Sequence, residues 1–174
     1  MSTKRVGDVT MDGRPFTVIG ERLSVGDTAP DFRLQRSSDF RHVTNADYTG
    51  QIRLISAVPS LDTSICDAQT RRFNQIATEL GSNVTILTVS ADLPVTQNRW
   101  CGAAGIDRVE VLTDHFDMNF GQAYGTYVEE LRIEQRAVFV VDAEGNVRYA
   151  EYVPEIGQHP NYEAAITAVK SLIE

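Results

Sequence analysis

The chain has 174 residues, 42% hydrophobic and 23% charged, which suits one soluble domain with length enough to bury a sizeable core. Its formal net charge is −8, and basic pairs such as Lys4-Arg5 and Arg71-Arg72 are scattered, so the cationic surface of a nucleic-acid or anionic-membrane binder is excluded. The opening MSTKRVGDVTMDG lacks an apolar run of signal-peptide length and nothing later approaches a membrane span, so a cytoplasmic location is expected, where two cysteines without a Cys-x-x-Cys pair are either buried packing or chemistry.

In chain order, Asp12-Gly13 between Val9-Thr10 and Phe16 to Ile19 predicts a hairpin. Phe32 to Gln35 and Ile52 to Val58 read as strands, joined through the turn residues Asp47-Tyr48-Thr49-Gly50. Phe73, Ile76, Ala77 and Leu80 fall at helical spacing, with Gly81 as the stop. The β-branched run Val84 to Ser90 predicts a buried strand. Pro94 suits the first turn of a helix running to about Gly102, which could be its cap.

Val109 to Leu112 predicts a short strand, and Phe116, Phe120 and Tyr124 a helix face that is core or part of a dimer patch. Ala137 to Val141 and Val147 to Val153 flank the turn Glu144-Gly145-Asn146. A final helix presents Tyr162, Ala165, Ile166, Val169, Leu172 and Ile173 on one side. Strands alternate with helices and close with a hairpin and a helix, an α/β sandwich with a mixed sheet. No repeat or linker divides the chain, so residues 1–174 are expected to form one domain, with residues 1–20 as a hairpin extension.

Within this frame the stretch PSLDTSIC, residues 59–66, is distinctive. A buried strand ends at Val58, Pro59 breaks it, and Cys66 falls in the first turn of the next helix. Open α/β sheets tend to place ligands at such strand ends. Helix N-termini offer free N–H groups and partial positive charge, both of which favour a thiolate. Thr63, three residues earlier, can turn its hydroxyl toward the sulfur, and Pro59 can wall the pocket without a competing N–H. The alternative is an inert packed cysteine, since free Cys is among the most buried residues. Bringing an ordinary thiol from a pKa of about 8.5 to about 6 takes roughly 3.4 kcal/mol. A helix terminus supplies at most about 2 kcal/mol, so a fixed cation is expected nearby.

PSLDTSIC matches the pattern Pro-x-x-x-Thr-x-x-Cys in full, and SADLP…RWCG, FGQAYG and RAVFVVD follow downstream. With these segments the chain resembles the thiol peroxidase family of atypical two-cysteine peroxiredoxins over most of its length. The resemblance implies a thioredoxin-like fold, a homodimer, hydroperoxide substrates and thioredoxin as reductant. It implies that Cys66 is the peroxidatic cysteine and Cys101 the resolving cysteine, joined in an intramolecular disulfide. By the same carry-over, Thr63 and Pro59 complete the motif and Arg136 supplies the cation. The family usually has small or apolar residues before that arginine, whereas this chain has Ile133-Glu134-Gln135. In an extended strand Glu134 would share a face with Arg136, which predicts that it partly neutralises it; a bend that turns Glu134 to solvent is the alternative.

Cys101 lies about 10 Å into the helix begun by Pro94, and Cys66 starts another. A disulfide needs Cα atoms within about 7 Å, so one or both segments are expected to unwind, helped by Gly102 and Gly105. His42, His115 and His159 have no metal-ligand spacing, Asp114-His115-x-Asp117 reads as a loop cap ahead of Asn119, and no phosphate loop appears, so neither metal nor nucleotide cofactor is expected. Two other functions carry the same thiols: a general thiol–disulfide oxidoreductase, disfavoured without Cys-x-x-Cys, and a non-catalytic peroxide sensor.

Overall fold

A computed structural model describes residues 2–173. The chain opens with β1 (Lys4–Met11) and β2 (Arg14–Ile19), joined at Asp12-Gly13, where both residues take the left-handed φ (52° and 75°) that a two-residue hairpin requires. Next come β3 (Arg33–Arg36), β4 (His42–Thr44), β5 (Ile52–Ala57), α1 (Ser64–Ile76), β6 (Val84–Ser90) and α2 (Pro94–Ala104). The remainder is β7 (Glu110–Thr113), α3 (Asn119–Tyr124), β8 (Tyr127–Val128), β9 (Ile133–Glu134), β10 (Ala137–Val141), β11 (Val147–Tyr152) and α4 (Tyr162–Lys170).

Seven strands form one mixed sheet in the order β11-β10-β5-β6-β7-β3-β4, with β5, β6 and β7 parallel and the other pairings antiparallel. Every residue of β5 and β10 is buried, as expected of central strands covered on both faces. The period-2 alternation sorts them: Leu54, Val138 and Val140 pack with Phe73, Ile166 and Val169 under α1 and α4, whereas Ile55, Ala57 and Phe139 pack with Phe32, Phe120 and Tyr124. This is the α/β sandwich with a mixed sheet that the sequence predicts. A second sheet, β1-β2-β8-β9, has its own small core of Val9, Val18, Val128 and Ile156.

Two expectations are corrected. Phe116 lies outside α3 and is 82% exposed, because left-handed Met118 (φ 54°) delays the helix to Asn119, whose N–H is received by Asp117. Only Phe120 and Tyr124 of that stripe are core, stacked at 4.2 Å. Gly102 is inside α2, and the cap is left-handed Gly105 (φ 67°). Strands β4, β8 and β9 are too short to register as a sequence pattern.

The exit of the β1–β2 hairpin is pinned to the end of α3 where Gly20 and Gly125 cross neighbouring backbone. A Cβ on Gly125 (φ 67°) would lie 2.2 Å from the Glu21 carbonyl oxygen, and one on Gly20 the same distance from that of Gln122. Arg5 donates to the carbonyls of both glycines. Gly125→Ala should therefore cost more than about 2 kcal/mol and lower the melting temperature by several degrees. Thermal melts followed by circular dichroism provide the check, and an unshifted midpoint would contradict the crossing.

Candidate active site

The chain leaves β5 at Ala57, and the Val58 N–H still donates to the Val89 carbonyl (2.9 Å). Pro59 is buried and ends the ladder. The following turn closes on one acceptor: the carbonyl of Ser60 receives both the N–H (3.2 Å) and the hydroxyl (3.0 Å) of Thr63. Thr63 is the extended N-cap of α1, but its side chain caps no N–H of the helix. The first helical bond runs from the Asp67 N–H to the Thr63 carbonyl (2.9 Å), so the N–H groups of Ser64, Ile65 and Cys66 precede it. Cys66 is fully buried at that helix mouth.

Arg136 reaches the same point from the link ahead of β10. Its guanidinium is 1% exposed; Nη1 stands 3.5 Å from Cys66 Sγ and donates to Gln69 Oε1 (2.9 Å). Nη2 and Nε donate to the Ile156 carbonyl (2.8 and 3.3 Å). Among the described residues no carboxylate pairs with it. Gln69 is itself fixed, its Nε2 donating to Ser56 Oγ (2.7 Å). Gln69 and Ser56 were not anticipated from the sequence; the usable signal was Gln69 three residues beyond Cys66, on the same helix face.

Glu134 does not neutralise Arg136, nor does it face solvent. It ends β9, paired with Tyr127 in the small sheet, while Arg136 leads into β10 of the large one. The chain changes sheets at Gln135, whose N–H donates to the Thr126 carbonyl (2.6 Å), so the strand alternation does not run from 134 to 136. The fully buried Glu134 carboxyl accepts from Thr126 Oγ1 and lies against Gly121, with its other oxygen lacking any donor. Asp114 is its neighbour there, receiving the N–H groups of Gly121 (2.8 Å) and Phe120 (3.2 Å). Burial first, then the charge of Asp114, pushes Glu134 well above the ordinary value of 4.5, so Glu134 keeps a proton.

Cys101 sits on α2, half-buried with Trp100 and Ile106 against the core beneath α1, and burial pushes its thiol up to about 11. Both thiols are free, each in its own helix. Arg71 of α1 joins the two helices, paired with Asp67 (2.8 Å), donating to the Ala104 carbonyl (3.0 Å) and lying 5.9 Å from the Trp100 ring. A groove of about 230 Å³ runs between the Cys66 loop and α2, lined by Leu61, Asp92, Thr96, Arg99 and Trp100. His42, His115 and Asp117 gather elsewhere, around the β7–α3 turn. Among the described residues no cluster of His, Cys, Asp and Glu could hold a metal, and no helix is long and apolar enough to cross a membrane.

A strand end, a cysteine in a helical first turn and a buried arginine at its sulfur stand together at one end of the mixed sheet. The Redoxin family model matches residues 24–166. The thiol peroxidase of Bacillus subtilis strain 168 is 52% identical over 169 residues, covering 97% of this chain and all of that one. That of Halalkalibacterium halodurans is 49% identical over 168 residues, with 97% and 100% coverage. A solved peroxiredoxin-like protein from Aquifex aeolicus superposes with a TM-score of 0.88 at 35% identity, covering 96% of this chain and 98% of that one. The chain belongs to the redoxin family and, within it, to the thiol peroxidases.

The Glu134 proton has a thermodynamic consequence. The native carboxyl holds a proton that an unfolded glutamate releases above about 4.5, so the folded state binds more protons and stability falls as pH rises past that value. Glu134→Gln, neutral at every pH, should flatten that fall and so gain stability over the native protein as pH rises, without changing the rate of Cys66 oxidation. Parallel melting-temperature curves for the two proteins from pH 5 to 8 would show that the carboxyl holds no proton.

Proposed function

We propose that this thiol peroxidase reduces hydrogen peroxide and organic hydroperoxides through Cys66 and is recycled by thioredoxin. The observation that supports it most directly is Arg136 Nη1 at 3.5 Å from Cys66 Sγ, a buried cation with no carboxylate partner among the described residues. The Cys66 thiolate attacks one peroxide oxygen; the O–O bond breaks, the sulfur becomes a sulfenic acid, and the hydroxide or alkoxide that leaves takes a proton from solvent to become water or an alcohol. Arg136 and the free first-turn N–H groups are the donors suited to the charge that moves onto the oxygens, and the Thr63 hydroxyl, whose hydrogen goes to Ser60, offers its oxygen as an acceptor for the peroxide hydrogen. Pro59 walls the pocket on the strand side.

Cys101 then attacks the Cys66 sulfenic sulfur, the S–O bond breaks, and water leaves with the thiol proton. Thioredoxin reduces the resulting disulfide by thiol exchange. Each thiol stands in its own intact helix, and on this reading the second step proceeds through local unwinding. A homodimer fits the exposed apolar side chains Leu93 (54%), Val95 (60%) and Phe116 (82%), which follow the C-terminal ends of the adjacent strands β6 and β7. The same reading takes the molecule as one cytoplasmic domain with residues 1–20 as its hairpin extension, needing no cofactor.

Intact mass spectrometry after one equivalent of peroxide should show loss of two hydrogens in the native sequence and gain of one oxygen in Cys101→Ser. Cys66→Ser should abolish turnover with thioredoxin and its reductase, and Arg136→Met should slow Cys66 oxidation by about 10²–10³-fold. Unchanged consumption in Cys66→Ser would refute the assignment. Trp100, next to Cys101 and under Arg71, should change its fluorescence as the disulfide forms. A flat signal during proven disulfide formation would count against unwinding of α2.

A further inference from the structure

The connection between β6 and α2 carries a carboxylate that none of the proposed chemistry uses. Asp92 lies two residues before Pro94, at the entry of the Cys101 helix, yet its side chain reaches back to the Cys66 loop. One oxygen, Oδ1, accepts from Ser60 Oγ (2.8 Å); the other, Oδ2, accepts from the Leu61 N–H (2.9 Å) and from Ser90 Oγ (2.7 Å). The Asp92 carbonyl also receives Thr113 Oγ1 from the end of β7.

The contacts extend in both directions. On one side, the Ser60 carbonyl is the acceptor on which Thr63 closes, so whatever holds Ser60 sets the N-cap of the helix that presents Cys66. On the other, Ser90 Oγ accepts from Nε2 of the buried Gln97 (2.9 Å), one turn before Cys101, and Gln97 also donates to the Leu112 carbonyl (2.9 Å). A single half-buried carboxylate therefore ties the loop of one thiol to the helix of the other. Another tie between the two helices, from Arg71 of α1 to the Ala104 carbonyl of α2, is a single bond from a side chain 47% exposed and adds little. Hydrogen bonds to a carboxylate are the stronger kind, and three donors converge on this one.

We propose that Asp92 is a positioning residue that latches the Cys66 loop to the Cys101 helix, so that the two segments are held, and released, as one unit. The proposal rests on the assigned roles of Cys66 and Cys101. With the latch closed, Ser60 and Thr63 hold the peroxide-reactive mouth of α1. The latch opens when the segments rearrange to join the sulfurs; Asp92 exchanges its protein donors for water and takes no part in bond making. Weakening it has opposite effects on the two half-reactions, since it depopulates the conformation that meets peroxide and favours the one that forms the disulfide.

The test is rapid-quench mass spectrometry of both steps in native protein, Asp92→Ala and Asp92→Asn. Asp92→Ala should slow Cys66 oxidation at least tenfold and speed the sulfenic-to-disulfide step at least threefold. Faster condensation leaves the sulfenic acid less time to meet a second peroxide, so less sulfinic acid should accumulate at high peroxide. Asp92→Asn, which keeps one acceptor oxygen, should fall between in all three readouts. If the alanine variant fails to fold, Asp92→Asn and Ser60→Ala carry the comparison, with the same opposite signs. A residue that merely supports the fold would slow both steps together, and that result, or two unchanged rates, would overturn the latch. If the native protein forms no Cys66–Cys101 disulfide at all, the underlying cycle fails instead, and the latch with it.

Discussion

The structure turns on one buried cation. Arg136 is sealed from solvent, and taking a guanidinium out of water without a counter-ion costs several kcal/mol. Neutral acceptors meet most of its geometry: the Ile156 carbonyl takes two donors and Gln69 takes another. They do not meet its charge. The group left to do so is the sulfur of Cys66, set in a helical first turn whose own N–H groups are free. Each element touching Arg136 is fixed by others: Gln69 by Ser56 of β5, and the Arg136 backbone carbonyl by the Val153 N–H (2.9 Å) at the end of β11. The cation is therefore preorganised, and stabilising a developing anion costs it no reorganisation.

That arrangement tolerates an acid two residues away only because the fold separates them. Glu134 belongs to the small sheet and Arg136 to the large one, with Gln135 as the change-over. Glu134 is kept neutral by burial and by Asp114, so it brings a proton rather than a charge toward the centre. Asp114 accepts the N–H groups at the start of α3. The pair fixes the packing of α3 against β8 and β9 and leaves the arginine unpaired.

The frame of the fold was legible because its central strands are apolar on both faces and its turns carry strong local signals: Asp12-Gly13, Pro94 and Gly145. The site was legible to the extent that it is local in sequence: Pro59, Thr63 and Cys66 sit within one loop and one helical turn. What depended on distant contacts was hidden. The partners of Arg136 are a glutamine from α1 and a carbonyl from the loop beyond β11, and no spacing rule links 69, 136 and 156. The error over Glu134 came from extending a strand period across a point where the chain changes sheets. Thr63, expected to face the sulfur, spends its hydroxyl hydrogen on Ser60, leaving its oxygen able to accept. Phe116 was misplaced because a left-handed residue, Met118, interrupts a spacing that otherwise reads as helical.

The burial of Cys101 gives the proposed cycle its order. Held against the core, its thiol is raised to about 11 by desolvation and is almost wholly protonated at neutral pH. The cause of that shift disappears when the segment unwinds into water, since an exposed thiol returns toward about 8.5 and becomes partly ionised. One movement thus supplies both the reach to Cys66 and the thiolate that disulfide formation needs. In the proposed cycle, reactivity at the second sulfur is gated by the same unwinding that brings it to the first, which would make the helix, rather than a neighbouring base, the activating group.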